Sequence, residues 1–342
     1  MLLAAGFGKR MVPVTLTRAK PTLPYLNRPL LLRQIDYLRA AGISDVVVNL
    51  HHQPQSIRSL LATESRAGTT PATDAFDLDG VMIHLSPEAE RLGTSGGLHG
   101  AAAQLRGDGT LLCLNSDMIC AIDLDAMTAA HRRLGRAATL VLVPWREGCG
   151  YTPVQHDGSS LLGFGETMAG GHHPPGIFTG IHLLEEEILD RLPPGPSEFL
   201  PDLYLPMLAE GVPPAVVVSP DRWVELGTPD RYLAGQMSAL EESPLRGRGC
   251  RLSDGAVLGP GTVLGDEVEI GAGVEVTTSI LMDGVRVGNG GHLREVIAGP
   301  RTRIPGDCEV QRAVLAPAIL PAPAGGFPAG VRAWEGLLRA DF

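Results

Sequence analysis

Cysteines, aromatic residues and long apolar runs are all scarce in this chain. It has 5 cysteines in 342 residues, at positions 113, 120, 149, 250 and 308. Their number is odd, they are widely spaced and no CxxC occurs. That excludes a disulfide scaffold and fits reduced thiols in a cytoplasmic protein. Aromatics make up 4% of the residues, so any core has to be aliphatic. No apolar run reaches the roughly 18 residues that a membrane span needs. The apolar start, Met1 to Ala5, gives way at once to Gly6–Arg10, which does not read as a signal peptide. No lysine follows Lys20, and the formal charge is -10 without a long basic run. A nucleic-acid backbone demands clustered Lys and Arg, so neither nucleic acid nor membrane is an expected partner. A nucleotide is compatible, because one phosphate group needs only a cation or two and some backbone N–H groups.

Gly (43) and Pro (28) are abundant, and at 44% hydrophobic residues the chain can bury a large domain and a smaller one. Up to about residue 240, short apolar runs alternate with helical stretches. Leu31, Ile35 and Leu38 share one face of a helix that ends at Gly42. Asp45-Val46-Val47-Val48-Asn49-Leu50 reads as a buried parallel strand. Thr94 to Leu105 reads as a helix, and Thr110–Asn115 and Ala138–Val143 as further strands. This rhythm predicts an α/β fold: a Rossmann-like mixed sheet with helices on both faces, ligands binding at the carboxyl ends of its strands. Met1-Leu2-Leu3-Ala4 reads as a first strand, shorter than the five or so residues usual for a central one.

From residue 246 the texture changes. Leu252, Leu258, Leu264, Ile270, Val276 and Met282 recur every six residues, and Gly259, Gly265 and Gly271 follow three of them. A second column runs through Ala256, Thr262, Val268, Val274 and Ile280. The period predicts a hexapeptide-repeat parallel β-helix with inward aliphatics and glycine at the corners, its register slipping near Asp283-Gly284. The expected domains are therefore 1–240, 246–316 and a Pro- and Gly-rich tail, 317–342.

The strongest local signal is Leu3-Ala4-Ala5-Gly6-Phe7-Gly8-Lys9-Arg10, followed by Lys20-Pro21. A strand runs into a Gly-rich turn with cations behind it. Gly6 and Gly8 allow backbone N–H groups to approach phosphate oxygens, Arg10 can clamp phosphate bidentately, and Lys20 adds a point charge. This stretch resembles the nucleotidyltransferase motif of the sugar-1-phosphate nucleotidyltransferases (nucleotide-sugar pyrophosphorylases). The hexapeptide region resembles the left-handed β-helix that the mannose-1-phosphate guanylyltransferase group carries.

The resemblance implies roles for further residues. Glu88 with Leu92-Gly93-Thr94 resembles the segment that lies against the base, Gly93 and Thr94 offering the free N–H groups of a helix start. Asn115-Ser116-Asp117 resembles the family's Asn-Gly-Asp, whose Asp holds catalytic Mg²⁺, a cation that takes hard carboxylate oxygens together with substrate phosphates. Trp223-Val224-Glu225-Leu226-Gly227-Thr228-Pro229 resembles Trp-x-Asp-x-Gly-Thr-Pro, with Glu225 where the family has its second metal carboxylate. On the sugar side, Gly150, Glu166 and Thr179 resemble the sugar-binding loops. The chain departs from the family after Glu166, where Thr167-Met168 replaces the Lys-Pro that grips the sugar phosphate. The implied activity joins a nucleoside triphosphate to a sugar 1-phosphate, GTP with mannose 1-phosphate or a related sugar first, then uridylyl or thymidylyl transfer. The alternatives are a catalytically inactive regulatory paralogue that binds a nucleotide-sugar, and an acyltransferase dependent on His292. The β-helix allows homo-oligomerisation.

Overall fold

The valine-rich run Asp45–Leu50 forms an inner strand of a mixed sheet in the computed structural model, which describes residues 1–65, 70–107, 109–165, 173–240, 243–318 and 326–342. Its residues Val46–Leu50 are all buried, as a strand covered on both faces requires. It pairs in parallel with Val81–Pro87 on one side and with Leu2–Leu3 on the other. Leu2–Leu3 in turn pairs in parallel with Leu111–Asn115, through Leu2↔Leu114 and Leu3↔Asn115. Gly176–Leu184 runs antiparallel to both Leu111–Asn115 and Ala138–Pro144, and Ala215–Val218 continues the sheet in parallel beyond Ala138–Pro144. The first strand is only two residues long, and the Met1 amine donates to the Leu112 carbonyl at 2.5 Å.

Helices Pro54–Glu64, Gly93–Gly100 and Leu124–Leu134 alternate with these strands. The last shows why the chain folds this way locally. The Asp123 carboxylate accepts the Ala126 N–H at 2.9 Å as an N-cap, and Gly135 ends the helix in the left-handed region at φ 59°. The predicted helix from Thr94 to Leu105 is broken at Ala101 into Gly93–Gly100 and Ala102–Leu105. Glycines at 96, 97 and 100 supply little helix propensity of their own.

These elements make one compact unit, Met1–Gly6 with Arg33–Val224. A second unit gathers Phe7–Leu32 with Glu225–Phe342. The chain thus sends an early segment into a unit whose remainder lies at its far end, an arrangement absent from the linear domain order read from the sequence.

The second unit contains the parallel β-helix. Its strands stack with offsets of 18 residues at first, Val257↔Glu275 and Leu258↔Val276, and of 17 afterwards, Val263↔Ile280 and Glu269↔Arg286. The register slip therefore falls between Val276 and Ile280, where Thr278 takes φ 46°, rather than at 283–284. Leu281 stacks on Leu264 in the place that the six-residue count gave to Met282. The inward stack Leu264, Ile270, Val276, Leu281, Val287, Leu293 and Ile304 is buried throughout. Glycine works differently from expectation. Positive φ at the corners is taken by other glycines, among them Gly249, Gly255, Gly261, Gly273 and Gly284, and also by non-glycine residues such as Glu267 and Arg301. Gly259, Gly265 and Gly271 are instead needed for close stacking: a Cβ on Gly265 would lie 2.3 Å from Asp283 Oδ1 and 2.6 Å from its backbone nitrogen. Within the tail, two segments form strands. Leu337–Asp341 pairs antiparallel with Glu309–Pro317, and Val331–Trp334 pairs with Leu337–Asp341, so a hairpin covers the exposed edge of the last coil strand.

Candidate functional site

Within the first unit, the residues singled out in the sequence follow the carboxyl ends of adjacent strands. Ala4 follows Leu2–Leu3, Glu88 follows Val81–Pro87, and Asp117 lies two residues past Leu111–Asn115. A polar chain crosses the sheet at this level. The Ala4 N–H donates to Asn49 Oδ1 at 2.7 Å, Asn49 Nδ2 donates to Glu88 Oε1 at 2.6 Å, and the Leu92 N–H donates to Glu88 Oε2 at 3.0 Å. Asn49 and Glu88 are buried. Glu88 thus spends one oxygen on Asn49 of the strand Asp45–Leu50 and the other on the segment ahead of the glycine-rich helix. Asn49 was missed as a site residue, although a lone amide in the Val-Val-Val strand is the signal that could have found it. A Cβ at Gly97 would lie 2.6 Å from Asn49 Nδ2 and 2.8 Å from Glu88 Oε1, so the helix approaches this chain as closely as glycine allows.

The start of that helix is not free, contrary to expectation. Glu198 Oε2 accepts from the Thr94 N–H at 3.0 Å and from the Thr94 hydroxyl at 2.7 Å, while its Oε1 pairs with Arg91 at 2.6 Å. Burial raises the Glu198 pKa, but the hydrogen bonds from Thr94 and Arg91 outweigh it and hold the carboxyl below its usual range. An acidic group at a helix N-terminus also meets the positive end of the helix dipole. Gly93 has φ 79°, and a Cβ there would lie 2.3 Å from the Ser197 carbonyl. Glu198 and Ser197 lie about a hundred residues from the helix in sequence, which kept this cap out of sight.

The turn after Leu111–Asn115 is anchored by Ser116, whose hydroxyl donates to the Leu3 carbonyl at 2.6 Å. That fixes the backbone from which the half-exposed Asp117 projects. Nearby in the fold, the Trp223 indole N–H donates to the Thr179 carbonyl at 2.9 Å, and the Tyr151 and Trp223 rings lie 5.4 Å apart. The Thr179 hydroxyl is turned into the sheet, donating to the Val141 carbonyl at 2.7 Å. It therefore offers a ligand no side-chain group. Gly180, at φ 81°, packs against Asn115 so closely that a Cβ would lie 2.4 Å from its Nδ2. Gly150 is exposed, with φ 69°. Glu166 lies outside the described residues.

The second unit holds the cations. Gly8 takes φ 61° and its carbonyl accepts both the Met11 N–H at 2.8 Å and the Thr15 hydroxyl at 2.9 Å, which tightens the turn that presents Arg10. Lys20 is buried in the short 3-10 turn Lys20–Thr22. The chain after it is fastened to helix Pro229–Met237: the Pro24 carbonyl accepts from the Tyr232 hydroxyl and from Gln236 Nε2 at 3.2 Å, and the Tyr25 hydroxyl donates to Gly235. Glu225, expected as a metal carboxylate, lies between two arginines. Its Oε1 pairs with Arg10 at 3.3 Å and its Oε2 with Arg231. A Cβ at Gly227 would overlap Glu225 Oε1 at 1.6 Å and meet Arg10 Nη2 at 2.6 Å, so the glycine of the Leu-Gly-Thr-Pro run is what admits the pair. Thr228 caps the following helix by accepting the Arg231 N–H, which orients Arg231 toward the same carboxylate.

For a Mg²⁺ ion the chemistry of the donors is a partial fit. Asp117 supplies a partly exposed hard oxygen, and one carboxylate with substrate phosphates is enough for this ion. Glu225 would have to give up an arginine on each oxygen. Among the described residues no group of three or more acidic, histidine or cysteine side chains is arranged to hold a metal. All five cysteines are free thiols, and burial pushes that of Cys113 up to about 11. No helix among the described residues is long and apolar enough to cross a membrane.

Comparison with known proteins points to one family. Residues 1–242 match the family model for nucleotidyl transferases, and residues 244–320 match the GMPPB C-terminal domain. A probable mannose-1-phosphate guanylyltransferase 2 of Arabidopsis thaliana is 29% identical over 84% of this chain and 82% of its own length. The mannose-1-phosphate guanylyltransferase catalytic subunit beta of Danio rerio is 30% identical over 70% of this chain and 64% of its own. The crystal structure of HddC from Yersinia pseudotuberculosis complexed with GMP-PN shares the fold, with a TM-score of 0.55 and 19% identity over 70% of this chain and 98% of that one. With the family model spanning well over half of it, this chain belongs to the nucleotidyl transferase family, as a sugar-phosphate nucleotidyltransferase with a GMPPB-type C-terminal domain.

Proposed function

We propose that this protein joins GTP to mannose 1-phosphate, or to a closely related sugar 1-phosphate, and releases pyrophosphate. What carries the choice of base and sugar is the likeness along 84% of the chain, β-helix included, to a protein named for mannose-1-phosphate guanylyl transfer. In the reaction an oxygen of the sugar phosphate attacks the α-phosphorus of the triphosphate. The bond from that phosphorus to the β-phosphate oxygen breaks, and pyrophosphate departs with the electron pair. No covalent enzyme intermediate is needed, so catalysis is positioning and charge neutralisation.

Each residue has a proposed task. Backbone groups from Leu3 to Gly8 receive the nucleotide, as the glycine-rich turn is built to do. Arg10 and Lys20 neutralise the triphosphate and the departing pyrophosphate. The Glu88–Leu92 bracket and the Glu198 cap hold Gly93 and Thr94 in place for the base. Asp117 would hold Mg²⁺ jointly with the substrate phosphates. Bound there, the ion would neutralise phosphate charge. Glu225 keeps Arg10 and Arg231 aimed and becomes a second metal carboxylate only by releasing them. Gly150 and Glu166 are assigned to the sugar.

The test is pyrophosphate release from purified protein with Mg²⁺, each triphosphate in turn, and a set of sugar 1-phosphates. Release with GTP and mannose 1-phosphate, lost in folded Asp117→Ala and Arg10→Ala proteins, is the expected result. Release with UTP or dTTP alone would reassign the base. No release with any pair, from a folded protein that still binds nucleotide, would sink the catalytic reading in favour of a regulatory paralogue.

A further inference from the structure

One face of the β-helix is a ladder of charge. The strands Arg251–Leu252, Glu269–Ile270, Arg286–Val287 and Arg303–Ile304 stack in parallel in that order. Their register places Arg251 beside Glu269, Glu269 beside Arg286 and Arg286 beside Arg303. The second residue of each strand packs in the core, so the first residue faces outward. The outward column therefore reads Arg, Glu, Arg, Arg, at the roughly 4.8 Å spacing of adjacent strands. Glu269 divides itself between its two neighbours: Oε1 meets Arg251 at 3.0 Å and Oε2 meets Arg286 at 3.3 Å. Arg303 stands next to Arg286 rather than to an acid. Neither Arg303 nor Arg301 makes an ion pair with any described residue.

Like charges directly opposite each other on paired strands weaken a sheet. This chain has 38 acidic residues against 28 basic ones, so a spare arginine pair does not reflect a shortage of carboxylates. The surroundings supply a place for the missing negative charge. Arg301 occupies the bend two residues before Arg303, and the bend one coil earlier is Gly284, which has no side chain to fill the space. The result is an open cavity of about 410 Å³ bordered by Arg251, Arg286, Arg301 and Arg303 against Glu267 and Glu269. Four guanidinium groups face two carboxylates there. Guanidinium forks match tetrahedral oxyanions bidentately, and the two that lack a carboxylate are the two nearest the end of the ladder.

We propose that this face is an anion site separate from the nucleotidyl-transfer residues, taking the phosphoryl group of a small soluble metabolite, or inorganic phosphate, between Arg286, Arg301 and Arg303. Glu269 fixes Arg286 by its Nε and leaves the Nη groups for the ligand. The site stands whichever base and sugar the enzyme uses. It would let the level of a phosphorylated compound act on the protein through its C-terminal domain.

The experiment is calorimetric titration of the full chain with inorganic phosphate, and separately with glycerol 3-phosphate, against chloride at matched ionic strength. An Arg10→Ala background weakens the triphosphate residues, and what remains of them, Lys20 included, is common to every protein compared. The expected result is saturable one-site binding, about tenfold or more weaker in Arg286→Gln and Arg303→Gln. Tighter binding of the ester than of inorganic phosphate would name an ester as the ligand. Melting gives an independent readout. In phosphate-free, low-salt buffer Arg303→Gln should melt above its parent, because a like-charge contact is gone, and phosphate should stabilise only the parent and so close the gap. Equal phosphate binding by parent and Arg303→Gln, no saturable binding, or an effect that chloride reproduces would each overturn the proposal.

Discussion

Glu225→Gln removes the negative charge from between Arg10 and Arg231 and keeps the length of the side chain. The Arg10 pair is 3.3 Å long and the Arg10 side chain is 59% exposed, so water replaces most of what is lost, about 0.5 kcal/mol. The Arg231 pair is 28% and 14% exposed, and a charge-assisted hydrogen bond in that setting contributes about 1.5 kcal/mol. Unfolding in urea should therefore show a loss of about 2 kcal/mol. The kinetic effect should be larger. With its tether gone, Arg10 samples solvent, and misplacing a catalytic group by about 1 Å can cost on the order of 100-fold in rate. The expected outcome is a fall of about 10- to 100-fold in kcat/KM for the triphosphate, with the Mg²⁺ concentration for half-maximal rate unchanged. The double variant Arg10→Ala/Glu225→Gln should be scarcely worse than Arg10→Ala alone, because one residue acts through the other. The reasoning is refuted if Glu225→Gln raises the Mg²⁺ requirement several-fold and its effect multiplies with that of Arg10→Ala, for then Glu225 is a metal carboxylate.

Three further outcomes follow from the geometry. Burial pushes the His182 pKa down to about 3, and the ring contacts Phe178, Phe199 and the Tyr204 hydroxyl. The unfolded chain takes up this proton near pH 6.5, so the stabilising contribution is whole above that pH and is lost as pH falls toward 3, by about 2 kcal/mol at pH 5; pH-dependent unfolding of His182→Gln should lack that slope. Gly265→Ala places a Cβ 2.3 Å from Asp283 Oδ1 and 2.6 Å from its backbone, and should destabilise the β-helix by about 2–3 kcal/mol, read as a lower unfolding midpoint. Asn49→Ala strands the Ala4 N–H and a Glu88 oxygen in a buried setting, and should cost about 2–3 kcal/mol together with weaker nucleotide binding; an unchanged nucleotide Kd would mean that the bracket does not reach the base segment.

What the sequence made legible is what repeats or alternates locally. The buried valine strand, the strand-to-glycine turn before Arg10 and the six-residue period each announce themselves within about ten residues. The features that escaped are set by distant partners. Nothing near Gly93 indicates that Glu198 closes the helix start, and nothing in Thr179 indicates that its hydroxyl turns inward to Val141. The slip in the β-helix was placed too late because Met282 is as apolar as Leu281, so hydrophobicity alone could not choose which of the two stacks on Leu264. Glycines after the aliphatic positions looked like corner residues, whereas backbone stacking from the next coil is what excludes a side chain there.

The division of the chain bears on how it is made. Phe7–Leu32 leaves the ribosome well before residues 225–342, the rest of the unit that receives it. At translation rates of about 5–20 residues per second, the intervening residues 33–224 take roughly 10–40 s to appear. Through that interval Arg10 waits without the carboxylate that later pairs with it, and the segment of Lys20 without the helix that later fastens it at Pro24 and Tyr25. Early synthesis can mature the sheet that bears Asp117, but the phosphate-directed cations are set only when the last third of the chain emerges. A ribosome stalled before residue 225 therefore carries a nascent chain with half of its proposed chemistry still unformed.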